Sequence, residues 1–188
     1  GSAASDVVDH ASTVWRNFQH ALGESPAIGS HEHHPLALAV TRPLPAIALQ
    51  DINIHKSLLG TDLFHERPLS SDNTNGCITC HAGPISGTDG RPVSFGVDRA
   101  RGKFNALTTF NANLNFRQFW DGRSITLADQ AIEPIISELE MANTLDNALA
   151  MLLSDPGYVR SFEALYVDGV NINNMTDAMA HFQAINFS

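Results

Sequence analysis

The stretch Ser70-Ser71-Asp72-Asn73-Thr74-Asn75-Gly76-Cys77-Ile78-Thr79-Cys80-His81 decides how the rest of this chain is read. It holds both cysteines of the sequence, separated by two residues, and a histidine directly follows the second. Cys-x-x-Cys-His is the attachment signature of a c-type haem. The spacing lets two thiols form thioethers with the vinyl groups of one porphyrin edge, and it sets the following imidazole beneath the iron as proximal ligand. Three plainer readings compete. A thioredoxin-type pair calls for a preceding buried strand, but the lead-in here is polar turn sequence. A zinc site calls for a second Cys or His pair at ligand spacing, and none is evident. A disulfide across two intervening residues adds little stability. One covalent haem c is the expectation, with Cys77, Cys80 and His81 as its anchors. Because c-type attachment is made outside the bacterial cytoplasm, a periplasmic location is expected. Gly1-Ser2 reads as a cloning scar, which places any signal peptide or anchor upstream of this sequence.

Outward from the motif, composition narrows the class. The 188 residues suit one domain of ordinary size, and 43% apolar against 16% charged residues supports a real core. A net charge of −9 argues against nucleic acid as a partner, which demands a basic surface. No run of 18 apolar residues occurs, so no membrane span is expected.

The pattern along the chain is mainly α. Residues 5–22 carry apolar side chains at helical spacing, and Pro-rich sequence from 23 to 50 reads as an extended wrapping segment. Residues 1–50 therefore form an N-terminal extension to a haem domain at 51–188. Helices are expected from Ile54 to Phe64, then at 105–113, 125–133, 144–153 (Thr144 as N-cap), 157–166 and 175–186 (Asn174 as N-cap). The Gly- and Pro-rich residues 82–103 read as a long loop serving a site.

Further segments add a family likeness. LLGTDLFHERPLSSDNTNGCITCH (58–81), SGTDG (86–90), NFRQFWDGRSITLADQAIEPI (115–135) and ELEM (138–141) resemble the bacterial di-haem cytochrome c peroxidase family, which includes the MauG-type enzymes. The match covers roughly 55–186 and corresponds to the family's peroxidatic haem domain. The resemblance implies a cytochrome-c-like helical fold and a haem that reduces hydrogen peroxide. It implies electrons supplied by a second haem domain or a redox protein partner, and it leaves a homodimer open. By position, Gln130 and Glu140 match polar residues of the distal pocket, and Phe119 matches the aromatic beside them. Trp120 matches a tryptophan lying between the two haems, and Asn105 an asparagine associated with a structural calcium.

Two departures stand out. The family's distal histidine loop corresponds to Ser94-Phe95-Gly96-Val97-Asp98, so Val97 takes the histidine's place. Only one CxxCH occurs, so the family's second haem domain is expected outside this sequence. An open sixth coordination position follows from the first departure, with Glu140 as general acid and base. Burial would raise its pKa toward a useful range.

Plainer readings stand beside these roles. Trp120 is by default a core residue. Arg123 either binds a haem propionate or pairs with Asp121 or Asp129. Met141, Met151, Met175 and Met179 read as packing. His31, His33 and His34 with Glu32 read as a solvated loop before they read as a metal site. His10, His20, His55 and His65 are N-terminal histidines that a wrapping extension could bring over the haem. His181 is expected to face the family's second domain. Two other functions remain open: a MauG-like oxidase of a protein or organic substrate, and a haem domain that carries electrons or senses a gas without turnover.

Overall fold

The computed structural model describes residues 53–82 and 86–187. The predicted helix at 5–22, the wrapping segment, the boundary near residue 50 and the His31–His34 cluster lie outside the described residues.

Among the described residues six α-helices carry the fold and no strand forms. Helix α1 (Ile54–His65) begins where the Asn53 side chain accepts from the His55 and Lys56 N–H groups, satisfying donors that the first turn cannot bond internally. It stops at Glu66, ahead of a 3-10 turn over Arg67–Leu69 that contains Pro68. The haem motif forms the single-turn helix α2 (Cys77–Cys80). Helix α3 (Leu127–Ile136) opens on a reciprocal cap: Thr126 Oγ1 accepts from the Asp129 N–H, and Asp129 Oδ2 accepts from the Thr126 N–H. Helices α4 (Leu145–Ser154) and α5 (Pro156–Leu165) start at Thr144 and Asp155, and α6 spans Ile172–Asn186.

Two expectations are corrected. Helix α6 starts three residues earlier than predicted, and its N-cap is Asn171, which accepts from the Asn174 N–H at 2.9 Å. Asn174 is instead inside the first turn, its amide donating to Asp168 Oδ1 and the Gly169 carbonyl. Two asparagines at this spacing offer equivalent caps, and the turn through Gly169 at φ +64 selects the first. No helix forms over 105–113; the chain is irregular there and closes into a 3-10 turn only at Ala112–Leu114. The Thr109 N–H is committed to the Gly87 carbonyl, Thr108 Oγ1 donates to the Ser86 carbonyl, and Asn111 adopts left-handed backbone. Tertiary hydrogen bonds here outcompete a weak helical pattern.

The core lies between α1 and α6. Gly60 makes their approach possible: a Cβ there would fall 2.0 Å from the Ala178 carbonyl oxygen. Around this contact, Leu59, Leu63, Met175, Ala178 and Met179 join Ile135 of α3, Leu152 of α4 and Phe162 of α5 in one buried cluster. Each fully buried side chain of this size contributes on the order of 1.5–3 kcal/mol relative to exposure. Met141 is buried in the same cluster and Met151 packs against it. Lys56 ties α1 to α6 through Asp177 at 2.7 Å, and Tyr166 donates to the same carboxylate oxygen at 2.9 Å.

Candidate haem site

The short α2 turn is set against the end of the α1–α6 pair. Phe64, Phe182 and Phe187 form a separate buried aromatic cluster, and Cys77 and Ile78 pack on it. Phe64 and Phe182 stand 4.8 Å apart between ring centroids. Sequence reading had not singled out this apolar wall, although Phe64 and Phe182 are aromatic residues on the two helices that meet most closely. Both cysteines are free, and burial pushes the Cys77 thiol up to about 12 and the Cys80 thiol upward as well. They are therefore neutral thiols in the folded chain.

His81 caps the turn, its N–H bonding the Cys77 carbonyl at 3.0 Å. Its Nδ1 lies 3.1 Å from the Gly87 carbonyl oxygen. A carbonyl oxygen can only accept, so the contact calls for an Nδ1–H donor, the tautomer in which Nε2 carries the lone pair. Burial holds the imidazole pKa below its ordinary value, against the raising influence of the Gly87 and Leu107 backbone. Gly87 is itself pinned: at φ +67 it sits so close to Thr109 that a Cβ would fall 2.2 Å from Thr109 Oγ1. The anchor of His81 thus depends on two residues, Gly87 and Thr109, that the motif does not contain.

The opposite wall is a tight loop. Ser94–Gly96 pairs antiparallel with Ala100–Gly102 through the Gly96 N–H to the Ala100 carbonyl and the Gly102 N–H to the Ser94 carbonyl, both 2.9 Å. Val97 at its tip is buried, and its N–H donates to the Glu140 carbonyl at 2.8 Å. Gly96 lies flat on the same turn, where a Cβ would come within 2.2 Å of the Leu139 carbonyl oxygen. The loop that carries Val97 is therefore clamped to the segment that carries Glu140, two regions more than 40 residues apart in sequence.

Glu140 is exposed as a residue, yet loss of hydration raises its carboxyl pKa above the usual range. Ser137 and Arg123 oppose that rise, and Glu133 adds to it. The Glu140 charge also raises the pKa of both thiols, so its carboxylate lies within electrostatic reach of the Cys77–Cys80 pair. Gln130 is half-buried on α3, and Pro134 four residues on has no N–H for the Gln130 carbonyl.

Arg123 is engaged within its own turn and with α3. Its guanidinium lies over the Phe119 ring at 3.5 Å and pairs with Asp121 at 2.9 Å and with Glu133 at 3.2 Å. Asp121 was foreseen as a partner; Glu133 was not, because one turn of α3 separates it from the better candidate Asp129, which is used by the helix cap. Phe119 holds positive φ, and Trp120 beside it is 66% exposed, so the core reading of that tryptophan gives way. Asn105 is exposed, its amide reaching the Ala106 carbonyl at 3.4 Å. Among the described residues no group of three His, Cys, Asp or Glu side chains is gathered for a bare metal ion. His181 is buried, with Nδ1 2.9 Å from the Asp177 carbonyl, rather than facing outward to a further domain. His55 and His65 are exposed on α1.

These residues fit a covalent haem c. Two thiols and an imidazole share one turn, an aromatic wall backs them, and Thr109 Oγ1 beside Gly87 is buried without a hydrogen-bond partner. The donor set is that of a porphyrin iron rather than of zinc.

Comparison with known proteins gives the same direction. A sequence model described as di-haem cytochrome c peroxidase matches residues 55–188. The cytochrome c peroxidase Ccp of Escherichia coli (strain K12) is 40% identical over 154 residues, covering 81% of this chain and 32% of that protein. The cytochrome c551 peroxidase of Nitrosomonas europaea is 35% identical over 148 residues, covering 78% of this chain and 44% of its own length. A crystal structure of a MauG-like protein associated with microbial copper homeostasis matches with a TM-score of 0.68 at 26% identity, covering 76% of this chain and 43% of that one. The fold is accordingly cytochrome-c-like, and the chain spans less than half the length of these relatives.

Proposed function

Because the chain belongs to the di-haem cytochrome c peroxidase family, we propose that it is a peroxidatic haem domain that reduces hydrogen peroxide. The observation that carries this reading is His81: a half-buried imidazole held below its ordinary pKa, with Nδ1 against the Gly87 carbonyl, whose Nε2 would serve as proximal ligand. Cys77 and Cys80 would hold the haem covalently, and the bound haem would supply the iron and the electrons that pass to peroxide.

The remaining roles belong to the chain. Val97 has no lone pair to offer, so its clamped loop supplies steric shape and no ligand on the distal side. The Glu140 carboxylate takes a proton from one oxygen of hydrogen peroxide and returns it to the other, which departs as water. Its raised pKa favours this exchange, since a weaker acid is a stronger base in its ionised form. Gln130 orients the peroxide by hydrogen bonding. Arg123 holds the FWDGR turn against α3 through Glu133 and keeps Phe119 stacked beneath its guanidinium. Trp120 would pass electrons between this domain and a second haem or a redox partner, a role its exposure supports. Asn105 would contribute to a calcium site only together with residues outside those described, and a periplasmic location follows from covalent haem attachment. The same exposed Trp120 also supports a second reading, in which oxidising equivalents leave through it to a protein substrate as in a MauG-like oxidase.

The test is the absorption spectrum of the ferric haem protein before and after one equivalent of hydrogen peroxide. A high-spin spectrum that changes rapidly is expected; a low-spin spectrum unmoved by peroxide would sink the proposal. In Glu140→Gln the haem should remain attached, with the peroxide reaction slowed about a hundredfold.

A further inference from the structure

The chain has two tyrosines, Tyr158 and Tyr166, and the proposed haem chemistry uses neither. Both donate the phenolic hydrogen to a carboxylate: Tyr158 to Glu66 Oε2 at 2.5 Å, and Tyr166 to Asp177 Oδ2 at 2.9 Å. They lie in the first turn and at the C-cap of α5. A phenol gives up an electron readily only when its proton leaves as well, so a hydrogen-bonded base is what its oxidation requires.

The two sites differ in charge. Asp177 is already paired with Lys56 at 2.7 Å, and the same ammonium lies over the Tyr166 ring, 4.5 Å from its centroid. A cation there opposes both loss of an electron from the ring and transfer of a proton to Asp177. Tyr158 has the opposite surroundings. The charges that act on its phenol are those of Glu66, Asp62 and Asp155, all negative. Glu66 itself forms no ion pair among the described residues. Negative charge favours removal of an electron from the ring, and a carboxylate without a cation beside it takes a proton more easily.

Position connects this pair to the haem motif. Glu66 closes the last turn of α1, its N–H bonding the Leu63 carbonyl at 3.2 Å. Gly76, which opens the α2 turn, lies directly on that end of α1: a Cβ there would fall 3.0 Å from the His65 carbonyl oxygen. Phe64 is buried on the same turn, with its ring centroid 6.4 Å from that of His81. Tyr158 is half-buried and packs against the core cluster that includes Leu63 and Leu69. Tyr158, Glu66, Phe64 and His81 are thus joined through packed side chains and one turn of backbone.

We propose that Tyr158, with Glu66 as its proton acceptor, is a redox-active site that returns one electron to the haem after hydrogen peroxide has oxidised it. The inference rests on the peroxidatic reading above and adds an internal source of reducing equivalents on the His81 side. The phenolic O–H bond breaks, the electron goes to the oxidised haem, and the proton goes to the Glu66 carboxylate. A neutral phenoxyl radical remains on Tyr158. One electron from an external one-electron donor and the proton held by Glu66 restore the phenol.

The experiment is freeze-quench electron paramagnetic resonance of the haem protein mixed with hydrogen peroxide in the absence of donor. Alongside it, the same protein is oxidised by flash-generated tris(bipyridine)ruthenium(III) in solution and followed at the phenoxyl absorbance. A tyrosyl radical is expected in both, lost in Tyr158→Phe and retained in Tyr166→Phe. Glu66→Gln keeps an oxygen to accept the hydrogen bond but no base to take the proton, and should slow phenoxyl formation in the flash experiment about a hundredfold. That variant leaves the phenol in place, so it decides the matter even where Tyr158→Phe yields no haem protein. A radical that survives in Tyr158→Phe, one lost in Tyr166→Phe instead, or a rate indifferent to Glu66→Gln overturns the proposal. So does a haem spectrum that responds to peroxide with no tyrosyl radical following. A haem spectrum unmoved by peroxide removes the peroxidatic reading instead, and the flash experiment then decides whether Tyr158 and Glu66 form the oxidisable pair.

Discussion

The helical region formed by α1 and α3–α6 differs from the segment 86–126 in nearly every physical respect. The first buries Leu63, Leu152, Phe162, Met175 and Met179 almost completely. The second leaves Phe104 at 65%, Phe116 at 72% and Trp120 at 66% exposure. Its order comes from capped turns, two isolated bridges and specific backbone bonds, such as Val97 to Glu140 and Thr109 to Gly87. The helical region supplies the stability, and the irregular segment supplies most of what surrounds the proposed haem. Positive φ is concentrated in the second: Asp98, Arg99, Asn111 and Phe119 are non-glycine residues held there. Such backbone persists where tertiary contacts over-determine it.

Gly60→Ala is the sharpest way to break this contrast. Its Cβ meets the Ala178 carbonyl, so α1 and α6 must part, and a loss of about 3 kcal/mol is expected in thermal or denaturant unfolding. Gly122→Ala in the irregular segment meets nothing closer than 3.5 Å and should cost only about 1 kcal/mol, through its positive φ. Equal losses at the two positions would show that the regions share the stability evenly.

The pH dependence of the peroxide reaction probes the irregular side. The Glu140 pKa is raised, so the carboxyl becomes protonated, and loses its function as base, at a pH higher than its ordinary 4.5. The rate should therefore fall as pH is lowered through a midpoint above 4.5, and the fall should vanish in Glu140→Gln. The same shift makes folding stability decrease as pH rises from 4.5 through the raised value, because the native state holds the proton longer than the unfolded one.

Asp177→Asn tests the polar tie on the helical side. It weakens the Lys56 pair and the Tyr166 hydrogen bond together, but both carboxylate and ammonium are partly solvated. A loss of about 1 kcal/mol is expected in urea unfolding. Trp120→Phe should change stability by less than about 0.5 kcal/mol, since the ring is largely in solvent. If it instead slows electron delivery to the haem, the exposed indole has an electron-transfer role that its packing does not explain.

Legibility in the sequence followed the same divide. Helix α4 begins one residue after its foreseen cap at Thr144, and Met175 and Met179 are in the core as their spacing indicates. Local capping and helical periodicity are properties of neighbouring residues, so a sequence displays them. The irregular run at 105–109 was misread as helix because its deciding bonds go to Ser86 and Gly87, some twenty residues away. Glu133 was missed as the Arg123 partner because the better candidate, Asp129, is taken by the cap of α3.

The sequence by itself determined the haem-binding chemistry, since two thiols and an imidazole need only one turn of chain to be presented together. It also determined a helical class and the family. Only the tertiary structure decided that the Val97 loop is clamped to Glu140 and that His81 is oriented by Gly87. These outcomes depend on backbone groups finding partners in distant segments, and backbone groups are the same in every residue, so no local pattern announces where they will pair.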